Sequence, residues 1–385
     1  MISGPGRYST NLVNELANKG HLVTVVTPMI VGDKMHEKDG GIEVHRVPIK
    51  SLKSVEKFLP NILDMRIMFS IALRGFFRQF DVSRFDILHI LDVHDSYFLT
   101  SRLSKAVPTI ISVNDYYSFE TPWNIFRFPY RSTDMALRYL HYNATKVLNS
   151  KYLKIASMVI SDTKYTADSI AKNAGVPRGS IRVVYKGVDL EKFTVKAAPE
   201  KYKNHNMLFV GSNMERKGVA DIVRAMPEIL KEFPDARLTI IGRASKMYKR
   251  KIESIIRKNG LNSVEILDGV ASGEITRYYE NANVFVLAPV IEDLAQVLLE
   301  AMSTKTPVVC TGVGANPEGV VDGVTGLLVK PKSPAQISDA VKKIFKNQKM
   351  AKEMGEQGRK RAESLFASSR MLGETMRVYS EVLGG

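Results

Sequence analysis

The chain has 385 residues, 44% hydrophobic and 25% charged, an ordinary globular balance long enough for two domains. Its single cysteine, Cys310, excludes an internal disulfide framework and a cysteine-based zinc site, and no charge-free apolar run reaches the length of a membrane span. The formal charge of +15 is spread over both halves, which argues against a single nucleic-acid-binding face. No signal-peptide h-region opens the chain, so the expected location is the cytoplasm.

Met1–Tyr8, with Gly4 and Gly6, reads as a glycine-bearing loop opening a helix over Tyr8–Lys19. Such a loop normally turns the chain at the carboxyl end of a strand, and no strand precedes it here. The first sheet is therefore expected to lack its leading strand. A misplaced start, a truncated chain or a genuine variant would each account for that.

Apolar runs of strand length follow at His21–Thr27, Ile42–Val47, Ile87–Leu91, Thr109–Val113, Met158–Ser161 and Ile181–Tyr185, with a helix over Thr163–Ala174. In the second half, strands are expected at Asn206–Val210, Arg237–Ile241, Val264–Leu267, Val284–Leu287, Pro307–Thr311 and Gly326–Val329. Between them lie helices at Val219–Phe233, Lys246–Asn259, Ser272–Ala282 and Leu294–Ser303. The alternation defines an α/β chain of two doubly wound, Rossmann-like domains. The polar, lysine-rich stretch Thr194–His205 marks the boundary, giving domains over 1–196 and 197–366 and a mostly helical tail.

Two carboxylates, Glu292 and Glu300, bracket the segment after the strand Val284–Leu287, one on the loop and one in the helix that follows. Ligands of open parallel sheets bind at that edge, and a helix start offers N–H groups to a phosphate. Carboxylates on either side of such a helix start suit a molecule with a central phosphate and hydroxyls at both ends. Phe209-Val-Gly-Ser-Asn-Met-Glu-Arg-Lys-Gly218 is a strand, a glycine turn and a helix opening. Gly211 would let backbone approach a ligand, and Lys217, or Arg216 as a forked alternative, would hold a diphosphate. Surface lysines before helices are common, and the glycines of Gly314-Ala-Asn-Pro-Glu-Gly319 read first as turn formers.

His89, His94, Asp95, Asn114, Asp115 and Tyr116 end strands of the first half and are its polar candidates. No His-x-x-x-His, clustered carboxylate or Asp-x-Asp spacing points to a metal, and no Gly-x-Ser-x-Gly elbow points to a serine hydrolase. Residues 121–158 interleave Arg127, Arg131, Arg138, Lys146, Lys151 and Lys154 with aromatic side chains. That mixture suits an anionic membrane surface or a lipid-linked acceptor, or equally a solvated basic helix with its aromatics inside.

In order along the chain, these motifs resemble glycosyltransferase family 4, the large retaining family with the GT-B fold. The likeness runs through Val210–Gly218, Leu238-Thr-Ile-Ile-Gly242, Leu267-Asp-Gly-Val270, the Glu292/Glu300 pair with Glu-Ala-Met, Thr306-Pro-Val-Val309 and Asp322-Gly-Val-Thr-Gly-Leu-Leu-Val329. Lys19–Thr27, Phe85–His89 and Lys186-Gly-Val-Asp189 agree more loosely. The resemblance implies a retaining hexosyltransferase that uses a nucleotide diphosphate sugar, without a metal, at the inner face of the membrane. Glu292, Lys217 and Asn114 would be catalytic. Gly4, Gly6, Gly211, Ser212, Arg216, Lys217, Gly242, Arg243, Val270, Leu294, Ala295, Gln296 and Glu300 would bind the donor. The terminal helix, within 367–385, would pack back on the first domain. Ser212 stands where the family usually has arginine and Asn114 where many members have histidine, so a non-catalytic nucleotide-sugar binder or scaffold subunit is the alternative.

Overall fold

The computed structural model describes residues 4–29, 33–49, 65–114, 143, 145–194, 199–212, 214–271 and 273–384. They form two compact units: Ile2–Tyr185 with Met371–Gly385, and Lys186–Arg370. Most of the basic, aromatic segment 121–158, together with Asp115 and Tyr116, lies outside the described residues.

The first unit runs α1 (Gly4–Asn18), β1 (Val23–Pro28), β2 (His36–Asp39), β3 (Ile42–Val47), α2 (Met65–Gln79), β4 (Leu88–Ile90), α3 (Ser101–Ala106), β5 (Thr109–Val113), β6 (Met158–Ser161), α4 (Lys164–Ala174) and β7 (Ile181–Val183). A three-stranded sheet has the order β1-β3-β2, and a separate four-stranded sheet has the order β4-β5-β6-β7. The second is parallel throughout, whereas β2 runs antiparallel to β3. β2 carries no sequence signal because His36-Glu-Lys-Asp39 is polar and exposed on both faces. The start also differs from expectation: Gly4 and Gly6 sit in the first turn of α1 rather than in a loop, with Pro5 at a position that tolerates its missing N–H. Ile110, Ile111 and Val113 of β5 are fully buried. α4 begins at Thr163, whose Oγ1 accepts from the Thr166 amide at 3.1 Å.

The second unit contains β8 (Asn206–Val210), α5 (Val219–Glu232), β9 (Arg237–Ile241), α6 (Lys246–Lys258), β10 (Val264–Leu267), α7 (Ile275–Asn281), β11 (Val284–Leu287), α8 (Gln296–Ser303), β12 (Val308–Thr311), α9 (Asn316–Gly319), β13 (Gly326–Val329), α10 (Pro334–Lys346) and α11 (Gln348–Leu365). Its six strands are parallel in the order β10-β9-β8-β11-β12-β13. The order reverses between β8 and β11, so the crevice beyond their carboxyl ends is the topological switch point. β11 and β12 are buried along their whole length, as expected of strands covered on both faces. α5 buries Val219, Ile222, Val223, Met226 and Ile229 at helical spacing, which is why its pattern is readable from sequence.

Residues 186–194, grouped by sequence with the first half, pack in this second unit. Val188 bridges to Ala367, and the Arg359 guanidinium donates to the Leu190 and Phe193 carbonyls at 3.3 and 3.1 Å. Within the lysine-rich stretch that looks like a linker, Lys201 is also pinned. Lys201 is buried, and its Nζ donates to the Tyr279 and Thr304 carbonyls and to Thr306 Oγ1 at 2.8, 2.9 and 2.7 Å.

The last helix, α12 (Ser368–Val382), returns most of its length to the first unit. Met371 and Val378 pack on Ile110, Met158, Ile160 and Val184, and Leu372 packs on Leu12 and Leu16. Among the described residues no helix is long and apolar enough to cross a membrane.

Candidate functional site

The carboxyl edge of the six-stranded sheet gathers most of the candidate residues. Gly211 follows β8, and its amide donates to the Ile241 carbonyl at 2.9 Å; Gly242 follows β9, and its amide donates to the Leu267 carbonyl at 2.8 Å. Lys217 folds back over Gly211. A Cβ at Gly211 would stand 2.8 Å from Lys217 Cδ, so the missing side chain is what lets the lysine lie against the strand end.

Glu292 sits on the loop from β11 to α8 and is 8% exposed. Its Oε1 meets Arg216 Nη1 at 3.0 Å, and its Oε2 faces Lys217 Nζ at 3.7 Å. The first is an ion pair at hydrogen-bonding distance; the second is longer. Arg216 Nη1 also donates to the Ile291 carbonyl at 3.1 Å, so one guanidinium holds both the backbone and the side chain of this loop. Burial pushes the Lys217 ammonium below its ordinary pKa and Arg216 pushes the same way, while Glu292 and Glu300 pull it back.

The loop is held from a second side. Thr311 Oγ1 donates to the Pro289 carbonyl at 2.6 Å, and the Val290 amide donates to the Arg216 carbonyl at 3.3 Å. Gly314 has φ +55°, and a Cβ there would stand 1.7 Å from the Glu292 carbonyl oxygen. Gly314 is thus more than the turn former read from sequence, because its bare backbone lets the Glu292 loop close down.

Glu300 lies in α8 and is 4% exposed, with Oε2 accepting from the Tyr279 hydroxyl at 2.9 Å. Tyr279 is fully buried and has no sequence signal as a site residue; it reads as core, yet it aims the Glu300 carboxylate. α8 begins at Gln296, two residues later than the sequence pattern suggests. Ala295, in the cap position, has no side-chain oxygen to cover the first amides.

Other candidates are placed differently. The Gln296 side chain donates to the Gly187 carbonyl at 3.0 Å, which leaves its backbone as the group at the helix start. Leu294 and Ala295 are buried, Val270 is half-buried, and Ser212 and Arg243 are exposed. Asn114, Gly4 and Gly6 belong to the first unit, where Asn114 Nδ2 donates to the Leu91 carbonyl at 2.6 Å. His89 is not a reactive group. Tyr379 Oη and Ser112 Oγ lie 2.7 and 2.8 Å from its ring nitrogens, and burial drives its pKa down to about 3. It is neutral at physiological pH and ties β4 to α12 and β5. His94 Nδ1 lies 2.8 Å from Asp92 Oδ1, a local pair at the loop after β4.

Strand order and a charged carboxyl edge define a Rossmann-like α/β protein with its ligand position at the switch point. The model for Glycosyltransferase Family 4 matches residues 2–192, and that for Glycosyl transferases group 1 matches residues 191–361. The chain belongs to this family of group 1, family 4-like glycosyltransferases. It is similar to an uncharacterized glycosyltransferase of Methanocaldococcus jannaschii, 24% identical over 98% of this chain and 94% of that one. Its fold matches sucrose-phosphate synthase from Thermosynechococcus elongatus at a TM-score of 0.77, with 19% identity over 99% of this chain and 94% of that one. It also matches HepE of Anabaena, solved in complex with UDP, at a TM-score of 0.72, with 16% identity over 98% of both chains. The two units are therefore those of a GT-B fold.

Proposed function

We propose that the chain transfers a hexosyl unit, with retention, from a nucleotide diphosphate sugar to a lipid-linked, glycan or small-molecule acceptor. The observation that carries this is the convergence of Arg216 and Lys217 on the buried carboxylate of Glu292, with Glu300 held by Tyr279 in the helix beyond. In this reading Glu300 accepts from the ribose hydroxyls and Glu292 contacts the donor sugar. Lys217, Arg216 and the amides at the start of α8 take up charge on the departing diphosphate without a metal ion. Charge grows on the leaving group in the transition state, so donors already aimed at it lower the barrier. The position where the family usually has arginine is the exposed Ser212, which leaves that work to Arg216 and Lys217. HepE, a protein of the same fold, was solved in complex with UDP, which supports a nucleotide as the ligand.

For the acceptor, the reading favours a position at an anionic membrane surface. Lys146, Lys151 and Lys154 line an open groove of the first unit, and Val147 beside them is 69% exposed. A screen of UDP-, GDP- and ADP-sugars by thermal shift and by donor hydrolysis tests the central claim. One donor is expected to raise the melting temperature and to be slowly hydrolysed. If none does either, the proposal fails. Stabilisation by a donor with no hydrolysis, and no transfer to any lipid or sugar acceptor, would instead identify a non-catalytic nucleotide-sugar binder.

A further inference from the structure

The pair β2–β3 holds a cluster that the proposed transfer does not use. His36 and His45 are direct cross-strand partners in the antiparallel register. Glu43 precedes His45 by two positions, so all three side chains project from one face of the hairpin. Glu43 Oε1 is 3.0 Å from His36 Nε2 and 2.9 Å from His45 Nε2. The three donor atoms all lie within 4.8 Å of one another. A tetrahedral zinc ion at ordinary Zn–N and Zn–O lengths needs its ligand atoms about 3.3 Å apart, which small side-chain rotations would reach here. We infer that His36, Glu43 and His45 bind a divalent transition metal, best suited to Zn²⁺, that fastens the edge strand β2 to β3.

Three further observations support the assignment. First, β2 is weakly held: His36-Glu-Lys-Asp39 is exposed throughout, and beyond the Arg46–Glu37 ion pair it offers no apolar anchor. A crosslink from its first residue supplies one. Second, the His45 ring is pre-positioned. It lies 5.7 Å from the Phe76 ring and 5.3 Å from the Phe80 ring of α2, centroid to centroid, which limits its rotation. Third, the site is open to the medium. The His36, Glu43 and His45 side chains are 52%, 29% and 20% exposed, which leaves room for an ion to enter and for water as a fourth ligand. Among neighbouring charges, Arg46 follows His45 and projects from the opposite face, where it pairs with Asp33 and Glu37. Lys38 stands opposite Glu43 in the register, and Arg84 packs over the Phe80 ring that touches His45; both are cations that oppose an ion. Two histidines on different strands escape any search for a short local spacing, so the sequence offers no metal motif.

The test uses the full, untagged chain stripped with a chelator and titrated with Zn²⁺ by calorimetry. One saturable site per chain is expected, together with a rise in melting temperature. Co²⁺ should give the intense visible absorption of four-coordinate nitrogen–oxygen ligation. His45 packs on aromatic rings and its replacement can disturb the fold, so the decisive variants are the more exposed His36→Ala and Glu43→Gln. Each should weaken Zn²⁺ binding by about tenfold or more and abolish the Co²⁺ absorption. Absence of saturable Zn²⁺ binding, or binding of unchanged affinity in His36→Ala, overturns the assignment. Both outcomes are independent of donor binding, because Arg216, Lys217, Glu292 and Glu300 all belong to the other unit.

Discussion

The hydrogen bond from the Tyr279 hydroxyl to the Glu300 carboxylate sets the donor-binding prediction. Tyr279 orients Glu300 from the core side. Glu300→Ala is expected to cost roughly 1.5–3 kcal/mol of nucleotide-sugar binding, as for hydrogen bonds to a charged group. Tyr279→Phe, which removes the orienting bond and keeps the ring, should cost less. Calorimetry on the stabilising donor checks both, and equal, negligible effects would remove Glu300 from the site. The neighbouring cations predict a different signature. On the proposed transfer, Lys217→Ala should lower turnover on the order of 10²–10³-fold, as the loss of a donor to developing charge does. Arg216 makes the shorter contact to Glu292 and also holds the Ile291 carbonyl, so Arg216→Ala should reduce both affinity and stability. Steady-state kinetics on the two single variants and the double variant separate these roles. An indifferent Lys217→Ala beside a catalytically dead Arg216→Ala would place the diphosphate contact one residue earlier.

At the scale of elements, the Glu292 loop is a clamped strand-to-helix connection. Gly314 on the loop after β12 approaches it so closely that a side chain cannot fit. Gly314→Ala combines left-handed backbone strain with a collision against the Glu292 carbonyl, so it should destabilise the second unit by more than about 2 kcal/mol. Urea unfolding measures this directly, and a wild-type midpoint would show that the loop gives way freely. This clamp illustrates where the sequence is silent. The strands β8 to β13 and the helices between them are legible because each is a buried run or an amphipathic pattern. Glu292, Arg216 and Lys217 are legible because they fall on connections from strand ends to helix starts of that pattern, and Glu300 because it lies in the helix that follows. Tyr279, Thr311 and Gly314 are not, since each acts by touching a segment distant in sequence, and nothing local separates that from core packing or an ordinary turn. β2 is hidden for the opposite reason: a short polar edge strand has no hydrophobic period at all.

Over the whole molecule, charge dominates. The +15 excess predicts attraction to anionic surfaces, and the lysine groove of the first unit is where contact is expected. In vesicle flotation the chain should bind phosphatidylserine-containing but not neutral vesicles, and lose binding at high salt. Lys146→Ala with Lys151→Ala should weaken it by roughly 2 kcal/mol, at about one per lysine, and unchanged flotation would move the contact elsewhere. Stability as a function of pH follows instead from a buried lysine. Burial lowers the Lys201 pKa from 10.5 to about 7 in the folded chain. Below that value the ammonium is charged in both states and its burial cost is felt in full. Between about 7 and 10.5 the unfolded chain holds a proton that the folded chain does not, so stability rises with pH. The depressed value of Lys217 acts in the same direction, so the clean measurement is a difference. Lys201→Met fills similar volume without the charge. Its stability relative to wild type should be best at neutral pH and decline steadily toward alkaline pH, as the wild type gains and the variant does not. The carbonyls of Tyr279 and Thr304 and the hydroxyl of Thr306 are well placed to hold an ammonium instead. If they keep Lys201 charged to high pH, the difference in urea midpoints will be flat across that range, and the buried site is a cationic anchor rather than a neutral amine.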